Sequence, residues 1–111
     1  MKIITKKTLD VTSSLEIYIE EKLMPLEKFV EPVDKEGETV LRLEVSRTTQ
    51  HHQKGDEVFM ARADLSLPGK VLRAESSASD IRKAIDEVRN MLHIEIQKYK
   101  TKNTRPPQRE K

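Results

Sequence analysis

Hydrophobic and polar residues alternate with two different periods along this chain, and the changes of period mark its elements. Residues 2–6, KIITK, are a short β-prone run. Thr8 to Ser14 supply turn and cap chemistry. Thr12 or Ser13 is suited to N-cap a helix, and Ser13 with Glu16 has capping-box spacing. LEIYIEEKLMPLEKFV follows. Leu15, Ile19, Leu26 and Val30 recur at helical spacing, flanked by Tyr18, Leu23 and Phe29. Pro25 breaks the pattern, because it lacks a backbone donor and crowds the preceding turn, so a kink or break is expected near Met24.

Glu31 to Glu38 has the composition of a loop. The period then drops to two. TVLRLEVSR places Val40, Leu41, Leu43 and Val45 against Arg42, Glu44 and Ser46. QHHQKGD is a polar hairpin loop. EVFMARADLSL alternates again, with a slip of phase near Ala61–Ala63 that permits a bulge. Pro68-Gly69 is a turn, and KVLRAES is a third consecutive strand. A second helix starts near Ser77–Ser79, with Ser77 or Ser79 as cap and Asp80 favouring its positive end. Its apolar stripe is Ile81, Ile85, Val88, Leu92, Ile96 and Tyr99. The order β-α-β-β-β-α predicts an α+β fold, a four-stranded sheet with two helices packed on one face. Residues 1–101 form one domain. Residues 102–111 hold no apolar side chain and contain Pro106-Pro107, which predicts a flexible basic tail.

Composition narrows the function. Charged residues make up 36% of the 111 residues, and there is no cysteine. A disulfide scaffold, a thiolate metal site and a cysteine nucleophile are excluded. No apolar run approaches the roughly 20 residues that span a bilayer. MKIITKKTLDV lacks the apolar region of a signal peptide, so a cytoplasmic protein is expected. Net charge is only +2, but it is polarised. Residues 1–8 carry three lysines and no acid, and residues 98–111 carry six basic residues against Glu110. Between them twelve basic residues face eighteen acidic ones. Such asymmetry points to a polyanionic partner.

Catalytic chemistry finds little support. His51-His52 point to different sides of an extended segment and have no third ligand at metal spacing. Asp86-Glu87 read as solvated helix surface, and Ser76, Ser77 and Ser79 have no base nearby in sequence. Leu67 to Lys70, LPGK, lacks the glycines and the following Ser/Thr of a phosphate loop. Neither an enzyme nor a cofactor is expected. Basic residues remain. Arg82, Arg89, His93 and Lys100 fall within about 40° on a helical wheel, a basic flank able to follow a phosphate backbone. Tyr18, Tyr99, Phe29 and Phe59 occupy core positions, so stacking readout of single-stranded bases is not expected.

EEKLMPLEKF, HHQKGDEVFMARADLSLPGKVLRAE and SASDIRKAIDEV, in that order, resemble the short ribosome hibernation-promoting factors, also called ribosomal subunit interface proteins. The resemblance covers about residues 1–102. It implies binding to the small ribosomal subunit, on the RNA of the messenger and transfer RNA channel, and a block of the decoding and peptidyl sites. It implies no DNA or membrane partner and no C-terminal dimerisation domain of the long members, and the free protein is expected to be a monomer. Carried over residue by residue, the family's basic positions are Lys22 and Lys28 in the first helix and Lys98, Lys100 and Lys102 late in the second. Pro25, Met91 and Ile94 stand where the family usually has basic residues, and Arg82 and Arg89 stand where it has aromatic or apolar ones. Arg82 and Arg89 thus return some of the charge. The competing reading is a protein-interaction module or homodimer using the exposed Met91 and Ile94.

Overall fold

The structure is a computed structural model and describes residues 1–7, 12–34, 37–49 and 57–104. Four strands form one sheet in the order β1 (Lys2–Lys7), β2 (Val40–Thr49), β3 (Glu57–Leu67) and β4 (Lys70–Ala78). β1 runs parallel to β2, and the two later pairings are antiparallel. Helices α1 (Ser13–Leu23) and α3 (Ile81–Thr104) cover one face, with the single turn α2 (Glu27–Val30) between them in the chain. The expected β-α-β-β-β-α fold is the one observed.

Period two explains the sheet's burial. Leu41, Leu43 and Val45 of β2, Ala61, Ala63, Leu65 and Leu67 of β3, and Leu72 and Ala74 of β4 are buried against the helices. From the helices come Leu15, Ile19, Leu23, Ile85, Val88, Leu92, Ile96 and Tyr99, all buried. The bulge allowed near Ala61–Ala63 is absent. β3 pairs without interruption on both sides from Phe59 to Ser66. The slip of phase arises because Met60 shares the outer face with Arg62 and Asp64, so an apolar residue sits at a polar position.

Pro25 ends α1. The helix stops at Leu23, a 3-10 turn takes Met24–Leu26, and α2 follows. Proline offers no N–H to the carbonyl one turn back, and the tighter turn accommodates this. Both Leu23 and Leu26 remain fully buried across the break. Thr12 is the N-cap of α1, its hydroxyl accepting from the Leu15 N–H at 3.1 Å. The start of α3 lies later than expected. Ser77 belongs to β4, and the cap is Asp80, whose carboxylate accepts from the Arg82 N–H at 2.9 Å. Alternation carries the strand through Ala78, and a carboxylate bonded to the second helical N–H is ordinary cap geometry. α3 continues past the end of its apolar stripe at Tyr99 to Thr104.

Pro68 and Gly69 close the β3–β4 hairpin, with Gly69 at φ 75°. A proline followed by a left-handed glycine is type II turn chemistry. The Tyr99 hydroxyl donates to the Pro68 carbonyl at 2.8 Å and fastens the end of α3 to this turn. The loop holding His51 and His52, and the segment with Arg105, Arg109 and Lys111, lie outside the described residues.

Candidate nucleic-acid interface

Helical periodicity gives α3 a polar flank beside its buried stripe, and α1 lies against that flank. The seam is built around Tyr18 of α1. Its hydroxyl donates to Asp86 Oδ1 of α3 at 2.7 Å, joining residues 68 positions apart. The Arg82 guanidinium lies 5.2 Å from the Tyr18 ring centroid, and the Lys22 ammonium lies 5.5 Å from it. Both are cation–π distances. Arg82 also donates to Ser14 Oγ at 3.0 Å, and Lys22 Nζ is 3.9 Å from Asp86. Tyr18 thus acts as a neutral post that holds two cations. Its hydroxyl pKa is pushed up to about 12, first by the hydrogen bond to Asp86, then by burial and the carboxylate's charge.

The sign of that shift gives a test. A phenol whose folded pKa is raised adds stability that is complete below the unfolded value near 10 and is lost as pH rises toward 12. Tyr18→Phe is therefore expected to remove part of the fall in stability between pH 10 and 12. Urea melts of wild type and variant across that window measure it, and parallel curves would contradict the assignment.

Beyond Tyr18, the groove between the helices is lined by Glu21, Lys22, Pro25, Asp86, Arg89 and Asn90. Arg89 is half-buried and donates to Asn90 Oδ1 at 3.1 Å. Farther along, the Phe29 and His93 rings meet at 4.6 Å, and Lys28 Nζ lies 6.0 Å from the Phe29 centroid. The structure therefore gathers Lys22, Lys28, Arg82 and Arg89 along one seam. Lys100 continues it, about 20° around α3 from Arg89. Lys98 does not join them. It lies roughly 180° around the axis from Arg89 and pairs with Glu95 at 3.7 Å. Lys102 is in the last turn of α3, and its side chain lies outside the described residues.

Periodicity treated Tyr18 as a core flank and Asp86 as solvated surface, and their coupling was not visible in the sequence. Nor was the outer face of the sheet. There Arg42 and Glu44, Arg62 and Asp64, and Arg73 and Glu75 stand in cross-strand rows. Arg62 is 3.5 Å from Glu44, and Arg73 is 3.4 Å from Asp64. Alternating signs neutralise one another, so this face is a poor match for a polyanion. Among the described residues no group of three His, Asp or Glu side chains is placed to hold a metal ion, and no helix is long and apolar enough to cross a membrane.

Solved structures share this architecture. A ribosomal subunit interface protein from Coxiella burnetii superposes with a TM-score of 0.68 at 21% identity, covering 91% of this chain and 99% of that one. The N-terminal domain of Thermus thermophilus Protein Y gives 0.61 at 22% identity, covering 88% and 94%. In sequence, the chain is 26% identical over 96 residues to a ribosome hibernation promotion factor of Deinococcus radiodurans, covering 86% of this chain and 47% of that protein. It is 30% identical over 103 residues to a protein of the same name from Lactococcus lactis subsp. cremoris, covering 91% and 50%. The chain spans about half the length of these curated relatives. The family model described as Sigma 54 modulation protein / S30EA ribosomal protein matches residues 3–104. With nearly every described element inside that match, the chain belongs to the Sigma 54 modulation protein / S30EA ribosomal protein family.

Proposed function

We propose that this chain is a ribosome hibernation factor. It binds ribosomal RNA of the small subunit in the channel used by messenger and transfer RNA, and it blocks the decoding and peptidyl sites. The observation that carries this reading is the convergence of Lys22, Lys28, Arg82, Arg89 and Lys100 along the α1–α3 seam, in a family with relatives named ribosome hibernation promotion factors. Cations fixed along a ridge neutralise phosphates without reading bases. Lys98 would add a contact only if the RNA also wraps the far flank of α3. On this reading the protein is a cytoplasmic binding protein that inhibits by occupancy, with no reaction and no cofactor.

Co-sedimentation with purified small subunits over a series of salt concentrations tests it. Five phosphate contacts predict a log–log slope of about −3.5 to −4.5. Absence of a complex at low salt would remove the proposal. Pro25 offers a gain-of-function variant, because it lines the same groove as Lys22 and Arg89. Pro25→Lys adds a cation there and returns a backbone donor to the helix. It is expected to tighten binding and to steepen the salt slope by about 1. An unchanged slope would show that RNA does not reach this part of the seam.

A further inference from the structure

The far side of the domain carries a different surface. Among the described residues β4 pairs only with β3, so its other edge is open over Lys70–Ala78. Among the described residues the β1 edge is unpaired too, but Lys2 and Lys6 put charge of one sign on its six residues, which opposes pairing of that edge with itself. β4 has no such protection. Its outward residues are Val71, Arg73, Glu75 and Ser77, and Val71 is 42% exposed. Beside this edge Met91 of α3, 41% exposed, lines a hollow together with Arg73, Ala74 and Glu75. Ile94, 55% exposed, lies on the same flank of α3.

We propose that a second copy of this chain docks here, β4 against β4 in antiparallel register about Ala74, making one continuous sheet. Charge selects both the partner and the register. Centring the two-fold on Ala74 sets Arg73 of each copy across from Glu75 of the other. The in-phase registers on either side put Arg73 opposite Arg73, or Glu75 opposite Glu75, and like charges directly opposite destabilise a sheet. The same centring continues the rows of the outer face. Lys6, Glu44, Arg62 and Glu75 lead on to Arg73, Asp64 and Arg42 of the second copy, with signs alternating throughout. On the inner side the two Ala74 methyls meet, which leaves room for Met91 from both copies. Backbone hydrogen bonds supply the affinity of such strand addition, and side chains its specificity. The edge lies on the side of α3 away from the α1–α3 seam, so pairing of two copies here does not depend on RNA binding there.

Sedimentation equilibrium of the whole chain over a wide concentration range tests the proposal. Wild type is expected to rise from 12.9 kDa to twice that mass. In the same register Arg73→Glu sets two carboxylates face to face at both cross-strand pairs, and Glu75→Arg sets two guanidinium groups there. Each variant alone is therefore expected to stay at the monomer mass. Mixed in equal amounts they regain opposite pairing and are expected to double in mass as a heterodimer. Circular dichroism melts confirm that both variants are folded, since each also faces a changed cross-strand neighbour within its own sheet. A wild type that stays monomeric would overturn the proposal. Dimers of either single variant, or a mixture that stays monomeric, would overturn it as well.

Discussion

Replacing Lys22, Arg82 and Arg89 together by glutamate is expected to weaken binding to small ribosomal subunits by at least ~100-fold at moderate salt. These three cations come from two helices yet stand along one seam, Lys22 and Arg82 over the Tyr18 ring and Lys22 and Arg89 in the groove beside Asp86. On the proposed RNA-binding reading, reversal turns three phosphate contacts into three repulsions, so the loss exceeds that of simple removal. None of the three side chains is fully buried, so the fold should persist, and a thermal melt of the variant checks this. Lys98→Glu is the control. Lys98 is exposed on the opposite flank of α3 and pairs with a neighbour one turn away, an interaction of small worth. Its reversal is expected to change affinity several-fold at most. Co-sedimentation and cell-free translation measure both. Equal effects from the triple variant and from Lys98→Glu would move the RNA-binding surface off the seam.

Leu92→Ala is expected to cost about 2–5 kcal/mol of stability. Leu92 is fully buried at the middle of α3, in a core it shares with Ile85, Val88 and Ile96 of the same stripe. Truncation loses transfer free energy and leaves a cavity that close-packed neighbours cannot fill. For a domain of this size that is a large share of the total stability. Urea melts with an unchanged slope give the number directly. A loss below about 0.5 kcal/mol, the range of surface substitutions, would mean that α3 presents another face to the sheet.

The two expectations rest on different kinds of information. The burial of Leu92 could be read from spacing alone. Residues 85, 88, 92, 96 and 99 recur every three or four positions, and only one side of a helix can satisfy that pattern. The alternation of β2 to β4 likewise separates the buried Leu41, Leu43 and Val45 from the charged Arg42 and Glu44 without reference to the fold. Pro25 announces the break at Leu23 because the missing donor is a property of the residue itself. The basic flank of α3 was also legible, because Arg82, Arg89 and Lys100 lie on one helix.

Pairings between distant segments were not legible. Nothing local states that β1 lies parallel to β2, that Tyr18 reaches Asp86, or that Lys22 of α1 belongs beside Arg89 of α3 while Lys98 does not. Local cap chemistry also misled, since several serines before α3 could have capped it and continued pairing with β3 holds Ser77 in the strand. The rows of alternating charge on the outer face needed the strand register, which is set by the hairpin turn and by the burial of one whole face. Sequence by itself thus determined the elements, their buried sides and the family, because periodicity and residue chemistry act over a few positions. Tertiary structure alone decided which charges stand together, because that depends on how α1 and the four strands pack around α3.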